Sequence, residues 1–216
     1  MSDAQGTRRS ASEYAAAAVF LVLFLIGGTV IAVLSPHEAN ALGLWASTNV
    51  ANLRNHPVLA LVISAFLPSG WPFGWLVPIT LTMFAANRAI GTARLTLICA
   101  AGHLIGTGVS EGIVAYRLDH GSLPPIWSHI SDIGPSYVVV SAIVVVVMFG
   151  TWLAKFTALA VFAVLVLVGH IFAGVTSLQV AAVGHLTAIL TAIAIGLVLV
   201  AGVHAGRWRR LPTDLT

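Results

Sequence analysis

From Ala15 to Leu34 the chain runs AAAAVFLVLFLIGGTVIAVL, twenty residues without a single charge. A helix on a soluble protein needs a polar face, and this run has none. About 20 consecutive apolar residues are what the roughly 30 Å hydrocarbon core of a bilayer requires. Comparable runs lie at about 95–116, 154–175 and 178–203. With 58% hydrophobic and only 8% charged residues, the chain lacks the polar surface to cover a soluble domain of 216 residues. The sequence therefore predicts an all-α integral membrane protein. Two shorter apolar runs, about 72–88 with Pro78 inside it and about 136–152 beginning at Ser136, bring the spans to six. Helices that short can end below the membrane surface when protein covers their ends. The first run has no A-x-A-like cleavage site, which favours a retained helix over a signal peptide.

Between the first two spans lies Ser35 to Trp71, where VLALVISAFL is followed by the breaker cluster PSGWP. This segment reads as an element in the outer interface. No internal repeat or linker divides the chain, so the expected organisation is a tail over 1–13, one six-helix domain over 14–203 and a second tail over 204–216. Placing both termini in the cytoplasm puts Arg8, Arg9, Arg88, Arg94, Lys155, Arg207, Arg209 and Arg210 inside and leaves Arg54 and Arg117 outside. That distribution follows the positive-inside rule. It also explains the net charge of +3 without nucleic acid, because the basic residues flank apolar runs and form no patch with interleaved aromatics. The lone Cys99 supports neither a disulfide framework nor a cysteine metal site. His103, His170, His185 and Glu111 have no tight ligand spacing, so neither a metal nor a cofactor is expected. Glu111 is still the one acidic residue within a predicted span, where ionisable groups are expensive to keep. Gly102, Gly106, Gly108 and Gly112 read as close-packing positions.

With this orientation the fourth and sixth spans run the same way, from outside to inside. Ser136 opens the fourth, and His185 lies a few residues into the sixth, so both fall in the outer third of the membrane. Serine needs a neighbouring base to become a nucleophile, and neutral imidazole suits that role. Gly184, Ala188, Ala192 and Gly196 form a stripe at spacing four beside His185, which lets another helix approach closely. Ser136 equally suits the N-cap of its helix.

These features together resemble the rhomboid family of intramembrane serine proteases. That family carries G-x-S-G at the start of its fourth core helix, and a histidine followed by small residues at spacing four in its sixth. Here the residues are Gly134-Pro135-Ser136-Tyr137 and GHLTAILTAIAIG from Gly184 to Gly196, with serine and histidine 49 positions apart. RNHPVLALVISAFL (Arg54 to Leu67) is similar to the family's entry into helix two, and NRAIGTARL (Asn87 to Leu95) to the turn after it. The resemblance implies a six-helix bundle in a bacterial plasma membrane. It assigns Ser136 as nucleophile, His185 as general base and the Ser136 amide as an oxyanion donor, with transmembrane protein substrates.

The sequence also departs from that pattern. Tyr137 replaces the motif's last glycine, and Pro135 has no N–H to offer an oxyanion. The family's histidine and asparagine donors at the start of helix two have no counterpart in SGWPFGWLVP, and the aromatic expected one turn after the serine is Val140. Loss of one oxyanion donor costs about 10² to 10³ in rate. Two readings stay open: an intramembrane serine protease, and a pseudoprotease that binds transmembrane clients. A transporter or ion-binding protein built on His103, Glu111, His170 and His185 is a third.

Overall fold

The computed structural model describes residues 14–208, with side chains through 202. The expected tail 1–13, and all of the tail 204–216 beyond the end of the last helix, lie outside the described residues. Those described are helical, with no strand among them. Nine α-helices follow in order: α1 Ala15–Val33, α2 Pro36–Ala46, α3 Val50–Asn55, α4 Pro57–Ser64, α5 Leu76–Ile90, α6 Thr92–Asp119, α7 Ser136–Phe149, α8 Trp152–Leu167 and α9 Val180–Trp208. By length and composition α1, α6 and α9 can each cross a membrane, while α5, α7 and α8 are shorter apolar helices of 14 to 16 residues. The fifth run ends as a helix at Leu167 instead of continuing to 175, and Gly169 to Gln179 form an irregular connection to α9.

The segment Ser35 to Trp71 contains three short helices, because its polar residues stop each one. Ser35 and Glu38 form a reciprocal capping box at α2, with Pro36 at the first helical position. The Asn52 side-chain amide then donates to the carbonyls of Leu44, Trp45 and Ser47 at 2.7, 3.0 and 2.8 Å, satisfying the end of α2. Asn49 caps α3 by accepting from Asn52 N–H at 2.9 Å.

At the centre stands α7. Every residue from Tyr137 to Val146 is buried, and α5, α6, α8 and α9 all pack on it. A helix apolar on all sides is a core helix, and VVVSAIVVVV reads that way. α6 and α9 form the most extensive helix pair, and missing side chains let both approach each other and α7 closely. A Cβ at Gly102 would collide with Ser141, one at Gly106 would stand 3.0 Å from the Gly184 carbonyl, and one at Gly184 would collide with Tyr137. Gly108 and Gly112 have nothing within 4 Å of a built Cβ, so only the Gly102 and Gly106 half of that expectation is a packing contact. On the opposite flank α1 faces the bundle with Ala17, Phe20, Phe24, Gly27 and Gly28 and leaves Val19, Val22 and Ile26 exposed on the outer, lipid-compatible face. Its N-terminus is held by Asn87 of α5, whose Oδ1 accepts from Ala17 N–H at 3.1 Å.

Candidate functional site

The turn before α7 sets the site. Gly134 adopts φ +132, a conformation that L side chains rarely enter, and its N–H donates to the Ser64 carbonyl at the end of α4 at 2.9 Å. Pro135 follows as the N-cap, and Ser136 is the first helical residue. The expected serine cap is therefore not formed: Ser136 starts one position too late, and no side chain caps α7.

Ser136 and His185 do not form the hydrogen bond that a dyad requires. His185 Nδ1 donates to the Ile171 carbonyl at 2.8 Å, and its Nε2 has no partner. A carbonyl can only accept, so Nδ1 carries the proton and Nε2 the lone pair. That tautomer suits a base, yet the side chain facing it is Tyr137, whose ring meets the imidazole edge-on with centroids 5.1 Å apart at 81°. The cause is helical geometry. Adjacent residues point about 100° apart at 3.6 residues per turn, so α7 turns Tyr137 toward α9. Ser136 lines a small cavity with Thr48, Ser64, His103, Asp132, Gly134 and Tyr137 itself. Tyr137 fits because Gly184 has no side chain. The aromatic neighbour of the histidine thus comes from the motif's fourth position and not from Val140, a contact that helical-wheel reasoning on Tyr137 against Gly184 would have found.

Asp132 ties this end of the molecule together. Its Oδ2 accepts from Tyr137 Oη at 3.0 Å and Thr48 Oγ1 at 3.2 Å, its N–H donates to Ser47 Oγ at 2.7 Å, and its carbonyl accepts from Thr48 N–H at 3.0 Å. Burial pushes its carboxyl above the ordinary carboxylate value, and the two hydroxyl donors oppose that shift in part. Sequence reading passed over Asp132 because it sits in a loop, and its partners are 84 and 5 positions away.

The remaining stripe residues lie where α9 meets its neighbours. Ala188 and Ala192 are fully buried, Ala188 lies against Gly106 and Gly102 of α6, and a Cβ at Gly196 would run into Met148 of α7. His103 Nε2 donates to the Leu61 carbonyl at 2.8 Å. Glu111 is 3% exposed. His170 stands apart on the exposed connection after α8 with φ 49. Among the described residues no group of three or more His, Cys, Asp or Glu is arranged to hold a metal ion.

A second feature is a groove of about 550 Å³ between α1, α4 and α6. Ala15, Ala16, Val19 and Leu23 form one wall, Thr96, Ala100 and Leu104 the other, and Val62 of α4 and Ala65 just after it also line it. Val19, Leu23, Val62 and Leu104 are exposed, so the groove lies on the molecule's outer flank.

Neither a curated protein nor a solved structure matches the chain. A family model described as rhomboid-like protein matches residues 9–205, which includes every described helix from α1 to all but the last three residues of α9. With that match over nearly its whole length and an all-helical, membrane-compatible bundle beneath it, the chain belongs to the rhomboid-like protein family.

Proposed function

We propose that this rhomboid-like membrane protein is a pseudoprotease, which uses the bundle to hold transmembrane segments of client proteins and does not cleave them. One observation carries the reading: the imidazole of His185 meets Tyr137, and no hydrogen bond joins it to Ser136. A general base must lie within hydrogen-bond reach, about 2.6–3.2 Å, of the proton it takes. The Gly134 to Ser64 bond and the Tyr137 to Asp132 bond hold the start of α7 in the orientation that sets Tyr137 against the imidazole. Pro135 also removes a backbone donor from the place where an oxyanion would form.

Client binding is supported by the groove. It follows α6 from Thr92 to Leu104, about 18 Å at 1.5 Å per residue, and presents apolar and small side chains at helical spacing. A protein segment seated within the hydrocarbon must satisfy its own backbone, so the occupant is a helix.

The test is serine-directed labelling with a fluorophosphonate, read beside photo-crosslinking from Val19 and Leu104. Wild type and Ser136→Ala should label equally weakly, while groove positions capture transmembrane segments and exposed Trp152 on α8 does not. Labelling that disappears in both Ser136→Ala and His185→Ala would establish the protease reading instead.

A further inference from the structure

Among the described residues four buried side-chain atoms have no hydrogen-bond partner: His103 Nδ1, Thr107 Oγ1, Glu111 Oε1 and His185 Nε2. Their residues are only 8, 1, 3 and 4% exposed. Such atoms are uncommon in folded proteins, and each calls for an explanation. These four are not scattered. His103, Thr107 and Glu111 follow one another at spacing four along a single face of α6. Tyr137 adjoins the cluster, with ring centroids 6.0 Å from His103 and 5.1 Å from His185, and its ring lies against Gly106 of α6, where a Cβ would stand 3.6 Å from it.

The cluster is short of hydrogens, not of polar atoms. His103 Nε2 and His185 Nδ1 each donate to a backbone carbonyl, so the nitrogen left over on each ring is a lone pair that can only accept. Glu111 adds a carboxylate oxygen. The Tyr137 hydroxyl donates to Asp132 and the Ser110 hydroxyl to the Thr107 carbonyl, which leaves the Thr107 hydroxyl as the one side-chain donor there without a partner. No lysine or arginine is among the buried residues described, so no side-chain cation is at hand to neutralise the carboxylate. The groups facing this space are His103 and Glu111 from α6, Tyr137 from α7, His185 from α9 and Asp132 from the loop before α7. Only Asp132 among them is in a loop and half-buried.

We propose that this cluster is a proton-binding site inside the bundle, loaded from the face that carries Asp132, with Glu111 as the group that takes the proton. Hydronium gives up H⁺ to the Glu111 carboxylate, an O–H bond forms on the carboxyl and a water molecule leaves. The new O–H supplies the donor that the cluster lacks. Asp132 and the Tyr137 hydroxyl form the entrance. Thr107, one turn further along α6, leads to the His103 lone pair about 12 Å from Glu111 by helix rise. Polar groups strung along a membrane helix in this way are the usual material of proton relays.

The test is infrared spectroscopy of the full chain in lipid nanodiscs, titrated between about pH 5 and about pH 9, where ordinary carboxylates are already ionised. Wild type should show a protonated-carboxyl stretch that shifts in D₂O and fades as the pH rises. Glu111→Gln should remove it. Tyr137→Phe keeps the ring and deletes the entrance hydroxyl, and should slow the D₂O shift at least several-fold. Wild type without any such band overturns the proposal, whatever the variants do. A band that survives Glu111→Gln and disappears in Asp132→Asn overturns it as well, and so does an unchanged exchange rate in Tyr137→Phe.

Discussion

Replacing Gly184 by alanine tests the wedge of Tyr137 between α7 and α9. In an exposed helix interior this exchange stabilises by about 1 kcal/mol, since glycine is that much poorer a helix former. At Gly184 the added methyl falls on the ring and hydroxyl of Tyr137, and that side chain has little room to move away. Its hydroxyl is bonded to Asp132, its ring abuts His185, and it is 3% exposed. Overpacking in a filled core costs about 1–3 kcal/mol, and a hydrogen bond to a charged group contributes about 1.5–3 kcal/mol if it is broken by the displacement. The clash therefore outweighs the propensity gain, and the net expectation is destabilisation by about 1–3 kcal/mol. Gly112→Ala is the internal control, because the same methyl on α6 meets nothing within 4 Å and should be neutral or stabilising. Thermal unfolding in detergent reads both variants, and Tyr137→Ala combined with Gly184→Ala should be less damaging than the sum of the two single changes. A Gly184→Ala protein as stable as Gly112→Ala would refute the wedge and with it the placement of Tyr137 against His185.

Other outcomes follow from single contacts. Asn87→Ala removes the acceptor of Ala17 N–H at the start of α1 and should cost about 1–3 kcal/mol in unfolding assays, the penalty of an unmatched buried donor. Gly134→Ala forces a side chain into φ +132 and should lower stability by about 1–3 kcal/mol without altering the helix content seen by circular dichroism. Asp132 carries a pH dependence whose sign is fixed. Its carboxyl is raised in the folded state, so in the window just above the unfolded value of about 3.9 the folded chain binds more protons and stability falls as pH rises. Wild type should accordingly lose stability relative to Asp132→Asn as pH is raised through that window, as a melting series would record.

The membrane helices were legible because hydrocarbon permits little else. Runs without charge had to become helices, and the stripe from Gly184 to Gly196 marked the α9 face that meets α6 and α7. The length of the fifth helix was not legible. Composition stays apolar through Phe172, but Gly169 and the positive φ of His170 turn the chain away after Leu167. The site was half legible. Ser136 and His185 stand on neighbouring helices, as the spacing implied, yet the rotation of α7 about its own axis depends on Gly134 meeting Ser64 and on Tyr137 meeting Asp132. The first of these joins residues 70 positions apart in sequence, which leaves no local pattern. Asp132 shows the same limit, since nothing in ISDIGPS marks it as the junction of α7 with the loop after α2.

The most direct test of the claim that His185 is partnered by Tyr137 and not by Ser136 is nitrogen NMR of the selectively labelled histidines. His185 should be neutral with its proton on Nδ1, its signals unchanged by Ser136→Ala and clearly displaced by Tyr137→Leu. Signals that move in Ser136→Ala and ignore Tyr137→Leu would contradict it and establish the serine–histidine pair.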